Sequence, residues 1–160
     1  MLNRARFAGH AVHPMLVVFP LGLLSISVVF DVLGLVTRQP IWGLMAYWDM
    51  AAGLVGGVLA AIFGVIDLLG IPTGTRAARV ALAHGILNVV VLGFFGVSLV
   101  VRALDRSLLP SPLAIGFSVT GLAIAVVSAW LGGELVERLG VGVSETANLD
   151  ARSSLEDDSP

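Results

Sequence analysis

Residues 14–36 read PMLVVFPLGLLSISVVFDVLGLV, with Asp31 as the single charge. A soluble helix needs a polar face, and this stretch has none. About 20 apolar residues, rising ~1.5 Å each, cross the ~30 Å hydrocarbon layer of a bilayer. Inside lipid a backbone must satisfy its own hydrogen bonds, so the run is a helix. Three more runs of this kind follow, at residues 51–71, 80–101 and 113–135. Their connections are short, so sequential helices pack antiparallel and the first and third run parallel. The expected fold is all-α: an integral membrane four-helix bundle with antiparallel sequential neighbours. The helical domain is expected to fill residues 1–139, and the polar, acidic, aperiodic tail at 140–160 reads as disordered. No internal repeat is strong enough to argue from.

Composition agrees. The chain has 160 residues, 57% hydrophobic and 12% charged, with a mean hydropathy of +0.97. A soluble domain carries about 25% charged residues. The absence of cysteine excludes disulfides, thiolate metal sites, iron–sulfur ligation and c-type haem attachment. A net charge of −2 argues against nucleic acid as a partner. No Gly-x-Ser-x-Gly or His-Glu-x-x-His motif is present, so a hydrolytic enzyme is not expected. Four helices leave little room for alternating access, so a lone transporter is not expected either.

The nine basic residues are all arginine. Arg4, Arg6, Arg76, Arg79, Arg138 and Arg152 fall on one side of the bilayer, and Arg38, Arg102 and Arg106 on the other. The positive-inside rule then places both termini in the cytoplasm. Arg4 and Arg6 before the first run resemble a signal peptide. The run is too long for one, and Thr37-Arg38-Gln39-Pro40 is no cleavage site, so the helix is expected to be retained. Trp42, Tyr47 and Trp48, between the first two runs, suit the headgroup belt. Thr75 is placed to cap the third helix.

Helix two carries small residues at Gly53, Gly56, Gly57, Ala60, Ala61 and Gly64, which let helices approach closely in lipid. Asp67, three residues after Gly64, continues that face into the bundle. Pro20 frees the carbonyl of Leu16 and is expected to kink helix one.

Ionisable groups inside a membrane need a partner and a reason. Helix one has His13 and Asp31, helix three has His84 and Arg102, and each pair is 18 residues apart. Eighteen residues is about five turns, or ~27 Å of rise, so each pair occupies one helix face. In parallel helices one register levels both pairs. Asp31 with Arg102 then reads as a structural ion pair at the outer end, unless Arg102 snorkels to headgroups.

The inner end collects His10, His13, His84, Asn88, Asp67 and Glu134, with Arg138 one turn past Glu134. His10 and His13 share a face if the helix begins that early. Three readings compete. In one, His13 and His84 bind haem b between the helices, Arg76 or Arg79 pairs with its propionates, and Asp67, Asn88 and Glu134 orient the imidazoles. In another, His10, His13, His84 and Asp67 hold one zinc or iron ion. In the last there is no cofactor, and these groups bond one another in a scaffold or assembly subunit.

Several motifs resemble the bacterial membrane-protein family DUF2231. They are Gly9-His10-Ala11-Val12-His13-Pro14, Phe19-Pro20-x-Gly22, Asp31, Gly64-x-x-Asp67, His84-x-x-x-Asn88, Gly132-Gly133 and Gly140-Val141-Gly142-Val143. Ala11 stands where the family often has proline. The resemblance implies a multi-pass protein of the bacterial inner (cytoplasmic) membrane. Some relatives are fused to Rieske-type iron–sulfur domains, which implies electron transfer beside other membrane or redox subunits. The expectation is thus a redox-associated membrane subunit, not an enzyme on its own, in contact with lipid and compatible with a homo-oligomer.

Overall fold

The computed structural model describes residues 5–105 and 109–155. A short hairpin pairs β1 (Arg6–Phe7) with β2 (His10–Ala11), and four helices follow: α1 (Val12–Thr37), α2 (Pro40–Leu68), α3 (Arg76–Leu104) and α4 (Pro112–Glu137). All four are long and apolar enough to span a membrane. Side chains such as Val18, Val29, Val58, Val89, Val100 and Val126 cover their outer faces. A soluble protein rarely exposes so much contiguous apolar surface, so these faces meet lipid. The protein is a four-span membrane protein.

α2 begins at Pro40, eleven residues before the expected start at Ala51. Pro40 suits the first helical turn, where its missing N–H loses nothing. The aromatic stretch read as a loop is therefore helix. Trp42 stacks on Phe30 of α1 at 5.6 Å between ring centroids. α2 is 29 residues long, so at ~1.5 Å per residue it overshoots the hydrocarbon layer and carries Trp42 toward the headgroups. α1 runs without interruption through Pro20, which packs against Gly56.

The helix ends are capped locally. Thr75 Oγ1 accepts from the Ala78 N–H at 3.1 Å, and Ser111 Oγ accepts from the Ala114 N–H at 3.3 Å. Past α4, Gly140 takes a φ of +65° and the Val141 N–H donates to the Leu135 carbonyl at 2.8 Å, a glycine-terminated C-cap. Thr75→Ala and Ser111→Ala are each expected to cost about 1 kcal/mol of stability, read by equilibrium unfolding in detergent.

α1 packs closely on α2, and α3 on α4. The two hairpins repeat each other. Adding 71 to a position in α1 gives its counterpart in α3: His13 to His84, Gly22 to Gly93, Ser27 to Ser98, Asp31 to Arg102. Adding 68 does the same from α2 to α4: Ala46 to Ala114, Gly53 to Gly121, Ala60 to Ser128, Gly64 to Gly132. The packing repeats as well. Leu24 sits against Gly53, and its counterpart Phe95 against Gly121. The bundle is a pseudo-twofold pair of hairpins, a repeat that was not evident along the chain.

Its core comprises Leu24, Val28, Met50, Val91 and Phe95, with Met50 and Phe95 fully buried. This apolar plug separates two polar layers, one at each end of the bundle. α1 and α3 lie across the bundle axis from each other, joined by side chains from these layers.

Candidate functional site

In the layer away from the chain termini, the Arg102 guanidinium grips Asp31 through two bonds, Nη1 to Oδ1 at 2.7 Å and Nη2 to Oδ2 at 2.6 Å. Both side chains are buried. Arg102 Nε donates to Ser98 Oγ at 3.2 Å, and Ser98 Oγ donates to the Ala114 carbonyl at 2.6 Å. Ser118 Oγ lies 3.3 Å from Asp31 Oδ2. This planar two-point geometry is the strong form of a carboxylate–guanidinium pair. It ties α1, α3 and α4 together.

The other layer holds the two histidines of the span. His13 and His84 reach the bundle axis with ring centroids 6.4 Å apart and planes at 88°. Each ring is fixed in the same way by its own partner helix. His13 Nδ1 lies 2.8 Å from the Ala60 carbonyl of α2, and His84 Nδ1 lies 2.8 Å from the Ser128 carbonyl of α4. A carbonyl only accepts, so both rings carry a proton on Nδ1, and at His84 the Asn88 amide N–H finds a lone pair on Nε2. Each ring also rests on a glycine. A Cβ on Gly64 would stand 3.1 Å from His13 Cε1 and Nδ1, and one on Gly132 would stand 3.2 Å from His84 Cε1.

Around His84 the bonds close a ring. His84 Nδ1 also approaches Ser128 Oγ at 3.1 Å, Ser128 Oγ donates to Asn88 Oδ1 at 3.0 Å, and Asn88 Nδ2 donates to His84 Nε2 at 3.0 Å. Ser128 escaped the sequence reading. A lone serine in an apolar run carries no signal of its own. The signal lay in the repeat, where Ser128 stands four residues before Gly132 as Ala60 stands before Gly64.

Other expected members are placed elsewhere. His10 does not share a face with His13, because α1 begins only at Val12. The tight turn at Ala8 and Gly9, with φ of +48° and +79°, carries His10 onto β2 instead. There it is exposed, with Nδ1 2.9 Å from the Ala8 carbonyl. Among the described residues no three histidine or acidic side chains converge on a metal position, so the set His10, His13, His84 and Asp67 is not assembled. Asp67 Oδ1 is buried without a hydrogen-bond partner among the described residues.

Glu134 does not orient an imidazole; it binds Arg76 at 2.5 Å. Backbone carbonyls do the orienting, because a histidine at a close helix crossing reaches the neighbouring main chain first. Arg79 donates to the Gly74 carbonyl at 3.2 Å. Arg4, Arg106 and the acidic run 156–160 lie outside the described residues.

A family profile of predicted membrane proteins, DUF2231, matches residues 9–145. The chain belongs to the DUF2231 family. The match takes in all four helices and both polar layers of this DUF2231 protein. No curated protein and no solved structure matches the chain.

Proposed function

We propose that the protein is a redox-associated subunit of the bacterial inner membrane whose His13 and His84 supply two axial imidazoles to haem b. The carrying observation is that two imidazoles from repeat-equivalent positions meet at the bundle axis, each anchored through Nδ1. An Nδ1–H bond to a backbone carbonyl is how proteins orient a metal-ligating histidine. The two ring centroids stand 6.4 Å apart at the bundle axis. At the start of α3, Arg79 brings positive charge to the same end for the propionates, while Arg76 is paired with Glu134. The positive-inside rule turns that end to the cytoplasm.

The test is hemin titration of the purified full chain in detergent. One Soret-absorbing haem per chain is expected, absent from the double variant His13→Ala/His84→Ala. A wild-type chain that stays colourless overturns the reading.

A second reading is favoured by one observation: the Asn88–His84–Ser128 ring satisfies His84 within the protein. In that case the layer only holds the hairpins together in an assembly subunit. A colourless protein that copurifies with other membrane subunits is its expected signature.

A further inference from the structure

The membrane interior holds a second carboxylate that no part of the bundle uses. Contacts between α1 and α2 bring His13 to Gly64, Leu24 to Gly53 and Gly34 to Gly43. That register sets Asp49 of α2 level with Val28, a member of the apolar plug. Val28 stands near the middle of α1, so Asp49 lies roughly 5 Å from mid-span, inside a hydrocarbon layer of ~15 Å half-thickness. The same register sets Asp31 level with Ala46, ~4.5 Å nearer the outer end. Asp49 is the deeper of the two carboxylates.

Asp31 is fully buried and gripped by Arg102. Asp49 is half-buried on the flank of α2, with no hydrogen-bond or ion-pair partner among the described residues. A charged group at this depth is expensive. Its single methylene cannot carry the carboxylate to the headgroups, as the longer stems of arginine and lysine can. Packing does not call for it either. Its repeat counterpart, 68 positions on, is Phe117, which packs on Phe94 at 5.7 Å between ring centroids. An apolar side chain fills that place in the second hairpin.

We infer that Asp49 is a docking point for the transmembrane helix of another protein, one that carries an arginine or lysine within its span. The inference stands without the haem reading. The bundle already meets its other intramembrane carboxylate in this way, with a guanidinium from a facing helix. The chain has no second cation to spare at this level. Arg102 is taken by Asp31, Arg38 stands past the outer end of α1, and the remaining described arginines belong to the opposite end. A second copy therefore offers Asp49 no cation, and a different chain supplies it. Ala52, exposed one turn further on, lets the incoming backbone come close. The partner's N–H groups then donate to the carboxylate, a charge-assisted bond of the strong kind, and neither charge is left facing lipid.

The probe is a synthetic leucine–alanine transmembrane helix with one central arginine, beside a twin with leucine at that place. Each is incorporated with the labelled full chain in phosphatidylcholine vesicles, and association is read by energy transfer. Wild type is expected to bind the arginine helix about tenfold more tightly than its twin, the worth of a hydrogen bond to a charged group. Asp49→Asn is expected to erase that preference. Asp49→Phe, unfolded in detergent without the peptide, is expected to be at least as stable as wild type, because the bundle itself makes no use of the carboxylate.

Equal binding of the two helices by wild type overturns the inference, as does a preference that survives Asp49→Asn. Energy transfer between wild-type copies that Asp49→Asn abolishes, with no peptide present, assigns the carboxylate to a homo-oligomer and overturns it too. An Asp49→Phe chain less stable than wild type has the same force, since it places the carboxylate in the bundle's own packing.

Discussion

Asp31→Leu is expected to destabilise the bundle by about 3–5 kcal/mol, and adding Arg102→Leu is expected to return most of that loss. The argument rests on where the charges sit. Asp31 is fully buried and Arg102 nearly so, joined by two bonds of 2.7 and 2.6 Å. Removing the carboxylate leaves a guanidinium among apolar helices, with Ser98 Oγ at its Nε. An unpaired buried charge is far costlier than a missing pair, because attraction between the partners no longer offsets their desolvation. Replacing both restores an apolar interior of similar volume, which is often neutral for such pairs. Equilibrium unfolding in detergent or bicelles reads the cycle. A single variant as stable as wild type would show that Arg102 escapes to the headgroups and that the pair is not a lock.

The second large effect is expected at the glycine seats. Gly64→Val places a Cβ 3.1 Å from the His13 ring, and Gly132→Val one 3.2 Å from that of His84. Neither ring can retreat freely, since each Nδ1 is bound at 2.8 Å to the same helix that carries the glycine. Overpacking of this kind costs about 1–3 kcal/mol. Displacing an oriented imidazole is expected to weaken hemin binding about 10–100-fold. Gly22→Val and Gly93→Val are the controls, because a Cβ at either position meets nothing within 4 Å. If the control and seat variants lose hemin affinity alike, the rings are not positioned by their glycines.

The bundle was legible because lipid imposes a simple rule. A backbone without water must be helical, so four apolar runs give four spans. The aromatic start of α2 was misread, since Trp42, Tyr47 and Trp48 look like a headgroup loop when only hydropathy is considered. The helix continues through them because Pro40 begins it and Trp42 stacks on Phe30. The repeat was hidden for a different reason. Its two offsets, 71 and 68, differ by the length of the connections, and its matched positions pair unlike chemistry, Asp31 with Arg102 and Val17 with Asn88.

At the site, the eighteen-residue spacing levelled His13 with His84 and Asp31 with Arg102, since helix pitch converts sequence distance directly into depth and face. His10 and Glu134 show where that reasoning ends. A two-residue turn redirected the first, and Arg76 claimed the second.

Sequence by itself thus determined the number of spans, their antiparallel order and the level of the polar groups, all consequences of periodicity and an apolar solvent. Tertiary structure alone decided which atoms those groups hold. The carbonyls of Ala60 and Ser128 are identical in kind to every other carbonyl in the chain, and only the close approach of two backbones at a glycine brings them to an imidazole.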